Sequence, residues 1–233
     1  MIPKIIHYCW LSGNPIPKNL EDCMKSWKKK LPDYKFMLWD FNRFDINSSI
    51  WVREAFNAKK YAFAADYIRL FALYNYGGIY MDMDVEVIKP FDDMLDRKYL
   101  LAYEEKNRIE AGIIGSEPGA GWLKKCLDYY EDRSFYKKNG TIDNRPLPMI
   151  LNEIISSNFP EMQIMGTDVF TTKSLETGII NVTENSYTIH HFTGSWTNWR
   201  MKLKRFIFLQ IIKSKLIYAI YKVTYRKYIK KEK

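Results

Sequence analysis

Apolar and polar positions along the chain fall into alternating short, strand-like runs and longer, helix-like ones. Residues 4–10 form a mostly apolar run that predicts a buried first strand, and 34–39 predicts a second. Between them, 19–30 reads as a helix that ends on Lys28, Lys29 and Lys30, cations suited to the negative end of a helix dipole. Leu31-Pro32-Asp33 breaks it. Another helix is predicted over 61–76, stopped by Gly77 and Gly78. Residues 79–88 then alternate almost without error, as one extended strand would. Ile79, Met81, Met83, Val85 and Val87 would pack into a core, while Tyr80, Asp82, Asp84 and Glu86 share the other face. Beyond Pro90 the pattern weakens. Residues 99–103 and 112–115 suit short strands, 121–131 and 148–156 suit helices, and 181–192 is rich enough in β-branched residues to return to the sheet. Strand, helix, strand, helix, strand in that order predicts an α/β fold, with helices on the faces of a sheet.

At 233 residues the chain can bury one substantial core, and no repeat or low-complexity linker interrupts it before residue 200. Cys9, Cys23 and Cys126 have no metal-ligand spacing and leave an odd thiol, which suits a reducing cytoplasm. The short run around His7 is too brief and polar for a signal peptide. Charge is unevenly placed. The whole chain has 36 Lys and Arg against 27 Asp and Glu; residues 201–233 hold 11 against one, leaving 25 against 26 for the rest. A nearly neutral body argues against a nucleic-acid-binding face, which would need a basic stripe of its own.

The candidate chemistry centres on the acidic strand. Carboxylates two apart on one strand face lie ~7 Å from each other, given a rise of ~3.3 Å per residue. Like charges so close repel unless water or a cation relieves them, and Mn2+ or Mg2+ prefers oxygen ligands. The plainer alternative is an amphipathic strand with a solvated acidic face. Asp66 and Arg69, three apart on the predicted helix, share a face. Taken alone they read as a surface ion pair. Small neighbours (Ala62, Ala64, Ala65) and the Gly-Gly turn would instead bring them close to the acidic strand, where Arg suits phosphate oxygens and Asp a sugar hydroxyl. His190 and His191 stand just before Gly194-Ser195-Trp196, and either histidine is a candidate metal ligand. Trp10 reads as core, or as a ring exposed at the end of the first strand.

Several ordered motifs together resemble glycosyltransferase family 32. They are Ile2-Pro3-Lys4-Ile5-Ile6-His7 with Trp10, Ser26-Trp27, Pro32-Asp33-Tyr34, Ala65-Asp66-Tyr67-Ile68-Arg69, Leu73-Tyr74, the segment from Gly77 to Asp84, and His190-His191-Phe192-Thr193-Gly194-Ser195-Trp196. The likeness is dense over 2–90, returns at 190–196 and is thin between; it extends distantly to the glucosylating domain of large clostridial toxins. The resemblance implies a GT-A fold, a Rossmann-like sheet that binds a nucleotide sugar, with a divalent metal (Mn2+ or Mg2+) and retention of anomeric configuration. By position it implies that Trp10 stacks on the base, Asp66 binds ribose or sugar, and Arg69 the sugar or diphosphate. Tyr80 and Asp82 would touch the ribose and donor sugar, and Ser195 and Trp196 the diphosphate. Asp84 would be the firmest metal ligand, helped by Asp82 and by His191, or by His190, since the doublet leaves the register open. Glu110 stands where related enzymes often carry Asn before Ala-Gly, so it would have replaced a donor or acceptor contact.

The implied activity is transfer of a hexose or N-acetylhexosamine from a nucleotide sugar, a UDP-sugar favoured over GDP-mannose. The acceptor would be lipid-linked or polysaccharide, as in capsule or O-antigen synthesis. A catalytically silent sugar-binding protein of the same fold is the alternative. A haloacid-dehalogenase-type phosphatase also uses Asp-x-Asp. It would carry Thr or Val where Glu86 stands, and its pair on the first strand. From residue 201 onward, Leu203, Ile207, Ile217, Tyr218, Tyr221, Tyr225 and Tyr228 fall on a charge-free helical arc opposite the basic residues, as in a helix lying on an anionic membrane surface. Its longest uncharged run, 206–212, falls far short of the ~20 residues that span a bilayer. The expected organisation is therefore a catalytic domain over 1–200 and a membrane-surface tail over 201–233. The expected location is cytoplasmic, on the inner face of a bacterial membrane.

Overall fold

The computed structural model describes residues 1–105, 108–175, 177–193, 210, 214 and 215. The chain divides into two units, Met1–Lys173 with Ile180–His191, and Ser174–Ile179 with Phe192–Lys233. In the second, the Gly178 amide closes a turn on the Ser174 carbonyl. The basic tail, Ser195 and Trp196 lie outside the described residues, apart from the three isolated tail positions.

The first unit is an α/β fold. Its strands are β1 (Ile5–Cys9), β2 (Lys35–Trp39), β3 (Gly78–Met81), β4 (Val85–Val87), β5 (Tyr99–Leu100), β6 (Tyr103–Glu105), β7 (Arg108–Ile109), β8 (Ile113–Ser116) and β9 (Thr188–His190). Its helices are α1 (Lys18–Lys30), α2 (Ile50–Asn57), α3 (Tyr61–Tyr76), α4 (Gly121–Asp128), α5 (Leu147–Asn158) and α6 (Thr167–Phe170). Five strands form one sheet in the order β2-β1-β3-β8-β5. β1 runs parallel to β2 and β3, while β8 is antiparallel to β3 and β5. Both faces are covered, so successive side chains enter different cores. Ile79 and Met81 join Ile6, Trp27 and Ile113 on one side; Tyr80 joins Ile114, Trp39 and the buried residues of α2 to α5 on the other.

The predicted strands at 4–10 and 34–39 and the helices at 19–30 and 61–76 are present with small shifts at their ends. The α2 helix carries no expectation from the sequence; Ser49 caps it through a bond from the Val52 amide. The acidic stretch departs from expectation. It is not one strand. β3 ends at Met81, residues 82–84 turn, and β4 pairs with β9 in a separate two-stranded sheet. The turn closes by the Val85 amide on the Asp82 carbonyl, and the Trp27 indole of α1 donates to the Val85 carbonyl at 2.6 Å. Residues 181–192 likewise return to this small sheet rather than to the central one.

Two buried features register β1 against the end of α3. The Nε2 of His7, fully buried, donates to the Gly77 carbonyl at 2.7 Å, and its Nδ1 accepts from the Trp39 indole at 3.0 Å. Gly78 has φ +101°, and a Cβ there would lie 2.6 Å from the Ile5 carbonyl oxygen, so the close strand approach needs glycine.

Candidate active site

The parallel strands β1 and β3 end on the same edge, and the acidic turn follows directly from β3. In open α/β sheets that carboxyl edge is where ligands bind. Asp82 continues the ladder for one more bond, its amide donating to the Gly112 carbonyl at 2.7 Å. The turn then carries Asp84 round to face β9. The pairing of Val85 with His190 sets the imidazole beside it, with Nε2 3.3 Å from the Asp84 carboxylate. Ligand atoms of Asp82, Asp84 and His190 all lie within 4.8 Å of one another. Two carboxylates and one imidazole suit a hard divalent ion with oxygen preference, so these residues fit Mn2+ or Mg2+.

The histidine in this cluster is His190, which corrects the placement expected for His191. Alternation along β9 sends the two rings to different surroundings. His191 Nε2 lies 3.0 Å from the Glu86 carboxylate, while its backbone amide donates to the Asp84 carbonyl at 3.0 Å.

Asp66 and Arg69 come from α3 and are buried, not a surface pair; their side chains are 4% and 5% exposed. One guanidinium nitrogen of Arg69 lies 3.1 Å from Asp66 and 3.4 Å from Asp82, and the other donates to the Ala111 carbonyl at 2.5 Å. The guanidinium also lies 4.5 Å from the centroid of the Tyr80 ring. Tyr80 in turn donates its hydroxyl to Asp82 at 2.8 Å. Helix, strand and turn are thus joined through one cation.

These contacts move the ionisations. Burial raises the Asp66 carboxyl to about 7 against the pull of Arg69, and raises Asp82 as well. Burial works against a charged His190 ring, but the Glu110 and Asp84 carboxylates outweigh it and push its pKa well above the usual value. Burial also opposes ionisation of Glu110. The charge of His190 and the bonds from His190, Thr171 and the Gly112 amide prevail and hold its carboxyl below the ordinary range. Glu104 is raised to about 7, first by burial and then by the neighbouring Glu110 charge.

The role of Glu110 is one the sequence leaves open. It is 1% exposed, and its oxygens face Gly112, Thr171 and His190, so it is no open contact for a donor or acceptor. A charged residue directly before Ala-Gly carries no periodic signal that would reveal this. Trp10 lies just past the end of β1, half-buried, with its indole donating to the Asn14 carbonyl at 2.7 Å. Ser195 and Trp196 lie outside the described residues.

Comparison with known proteins follows the same lines. Residues 17–101 match the family described as a glycosyltransferase sugar-binding region containing a DXD motif. Over 130 residues, 54% of the chain, it is 32% identical to inositol phosphoceramide mannosyltransferase 3 of Schizosaccharomyces pombe. Over 146 residues, 60% of the chain, it is 31% identical to the mannosyl phosphorylinositol ceramide synthase CSH1 of Saccharomyces cerevisiae. The matched regions span 36% and 37% of those two proteins' lengths. Among solved structures, the PaToxG glycosyltransferase superposes with a TM-score of 0.52 at 20% identity, covering 68% of this chain and 70% of that one. At such identity the likeness speaks for the fold.

Proposed function

We propose that this chain is a glycosyltransferase family 32-like enzyme with its DXD region on a GT-A fold, and that it is a metal-dependent, retaining hexosyltransferase using a nucleotide-sugar donor. The observation that carries this reading is the convergence of Asp82, Asp84 and His190 at the carboxyl edge of the sheet, beside the buried Arg69. A Mn2+ or Mg2+ ion held by those three side chains would neutralise the diphosphate charge that grows as the sugar–phosphate bond stretches. Arg69 adds fixed positive charge from below, and Asp66 keeps its guanidinium oriented. Trp10 offers a partly exposed ring for the base. Ser195 and Trp196 are proposed diphosphate contacts on sequence resemblance alone.

In the proposed reaction the acceptor hydroxyl oxygen bonds to the anomeric carbon on the face that the diphosphate leaves. The bond from that carbon to the phosphate oxygen breaks, and the departing phosphate takes the hydroxyl proton. No protein base or covalent sugar–enzyme adduct is required. The names of the relatives weigh the donor choice toward mannose, and so toward GDP-mannose over the UDP-sugars favoured by the sequence. They also weigh the acceptor toward an inositol-bearing lipid rather than a capsule or O-antigen chain. A lipid acceptor agrees with a peripheral location on the cytoplasmic membrane face.

The test is nucleotide release from GDP-mannose, UDP-galactose, UDP-N-acetylgalactosamine and UDP-glucose, with Mn2+ or Mg2+ and with EDTA. We expect metal-dependent release from one of them, and a loss of about 100-fold or more in Asp84→Asn, in line with removing one transition-state charge contact. Turnover that survives EDTA or Asp84→Asn would overturn the reading. Binding of a donor without release would identify the catalytically silent alternative.

A further inference from the structure

The segment from Glu110 to Gly112 touches His190, Arg69 and Asp82. Glu110 faces His190, the Ala111 carbonyl accepts from Arg69, and the Gly112 carbonyl accepts from the Asp82 amide. Glu110 is itself fixed from two further directions. Its Oε1 accepts from the Gly112 amide at 2.6 Å, and its Oε2 accepts from the Thr171 hydroxyl at 2.5 Å while lying 3.1 Å from His190 Nδ1. Thr171 follows α6, and its neighbour Thr172 donates to the Thr188 carbonyl, so the same loop also holds β9. The imidazole lies flat enough on residue 112 that a Cβ there would come within 2.6 Å of His190 Cε1 and 2.9 Å of Glu110 Oε1. Only glycine leaves room for the ring in this pose.

We propose that Glu110 is a positioning residue that orients His190 toward the divalent-cation site. With Nδ1–H given to Glu110, the other ring nitrogen, Nε2, is the one directed at Asp84 and the cation site. A carboxylate behind a metal-binding imidazole fixes both its tautomer and its rotation, and raises its basicity as a ligand. Glu110 reaches the ion only through His190 and does not touch the donor.

This inference rests on the cation site of the proposed function, and Mn2+ or Mg2+ without any donor or acceptor tests it. Mn2+ affinity is measured by electron paramagnetic resonance for the full chain and for Glu110→Gln, Thr171→Val, His190→Ala and the Glu110→Gln/His190→Ala double variant. In parallel, the tautomer of His190 is read from its ring nitrogen chemical shifts. We expect Glu110→Gln to weaken Mn2+ binding by about 10- to 100-fold, Thr171→Val to weaken it less, and the double variant to bind no worse than His190→Ala. His190 should carry its proton on Nδ1 in the Mg2+-loaded wild type and lose that preference in Glu110→Gln. Unchanged affinity and tautomer in Glu110→Gln, or fully additive losses in the double variant, would overturn the inference. The milder Thr171→Val keeps the test open if Glu110→Gln folds poorly. Wild-type protein that binds Mn2+ yet releases nucleotide from no sugar donor would sink the proposed function and leave this inference standing.

Discussion

Arg69 carries more of the site than any other single side chain. It is buried, and Asp66, Asp82, the Ala111 carbonyl and the Tyr80 ring surround its guanidinium. Removing one partner of a buried ion pair leaves uncompensated charge, which costs about 3–5 kcal/mol. Arg69→Met should therefore unfold at lower urea by roughly the lower part of that range, because Asp66, already raised to about 7, takes up a proton near neutral pH and limits the loss. Urea unfolding at pH ~7 checks this, and an unchanged midpoint would mean the pair contributes nothing to stability. The spacing of Asp66 and Arg69 was legible in the sequence, and so was their nearness to the acidic stretch. Their burial was not, because it depends on what covers the helix, and side-chain spacing carries no record of that. The same limit hid Glu110, whose three partners lie on β8's approach, α6 and β9.

At the scale of elements, one buried histidine ties β1 to the turn that launches β3. Burial lowers the His7 pKa to about 4, and the ring is neutral with both nitrogens engaged. Its folded pKa lies below the unfolded value of 6.5, so the folded state binds fewer protons between the two. The contribution is fully present above about pH 6.5 and is lost progressively as pH falls toward 4, by up to about 3 kcal/mol. Urea unfolding at several pH values should show this slope, and His7→Gln should flatten it; equal slopes would remove His7 as the cause. Apolar runs and helix-end signals located β1, β2, α1 and α3 well, because each is bounded by a clear break in the chain. Periodicity failed at residues 79–88 for an instructive reason. Ile79, Met81, Met83, Val85 and Val87 all do enter one core, so the period-2 pattern runs straight through a turn. Alternation reports which side chains are buried, not whether the backbone between them stays in one sheet.

For the whole molecule, the neutral body and basic tail remain a matter of sequence, since the tail lies outside the described residues. Among those that are described, no helix is long and apolar enough to cross a membrane. A surface-bound polybasic segment gains about 1 kcal/mol per Lys or Arg near an anionic leaflet. Deleting residues 201–233 should therefore abolish most flotation with anionic liposomes at low salt while leaving binding to neutral ones unchanged; full flotation of the truncated chain would refute a membrane role for the tail. The small sheet of β4 and β9 has a consequence for how the protein is made. Because His190 reaches Asp84 only when β9 is paired with β4, a nascent chain that has emerged as far as the acidic turn holds two crowded carboxylates and no imidazole. The complete cluster of Asp82, Asp84 and His190 therefore cannot assemble until residue 190 has left the ribosome.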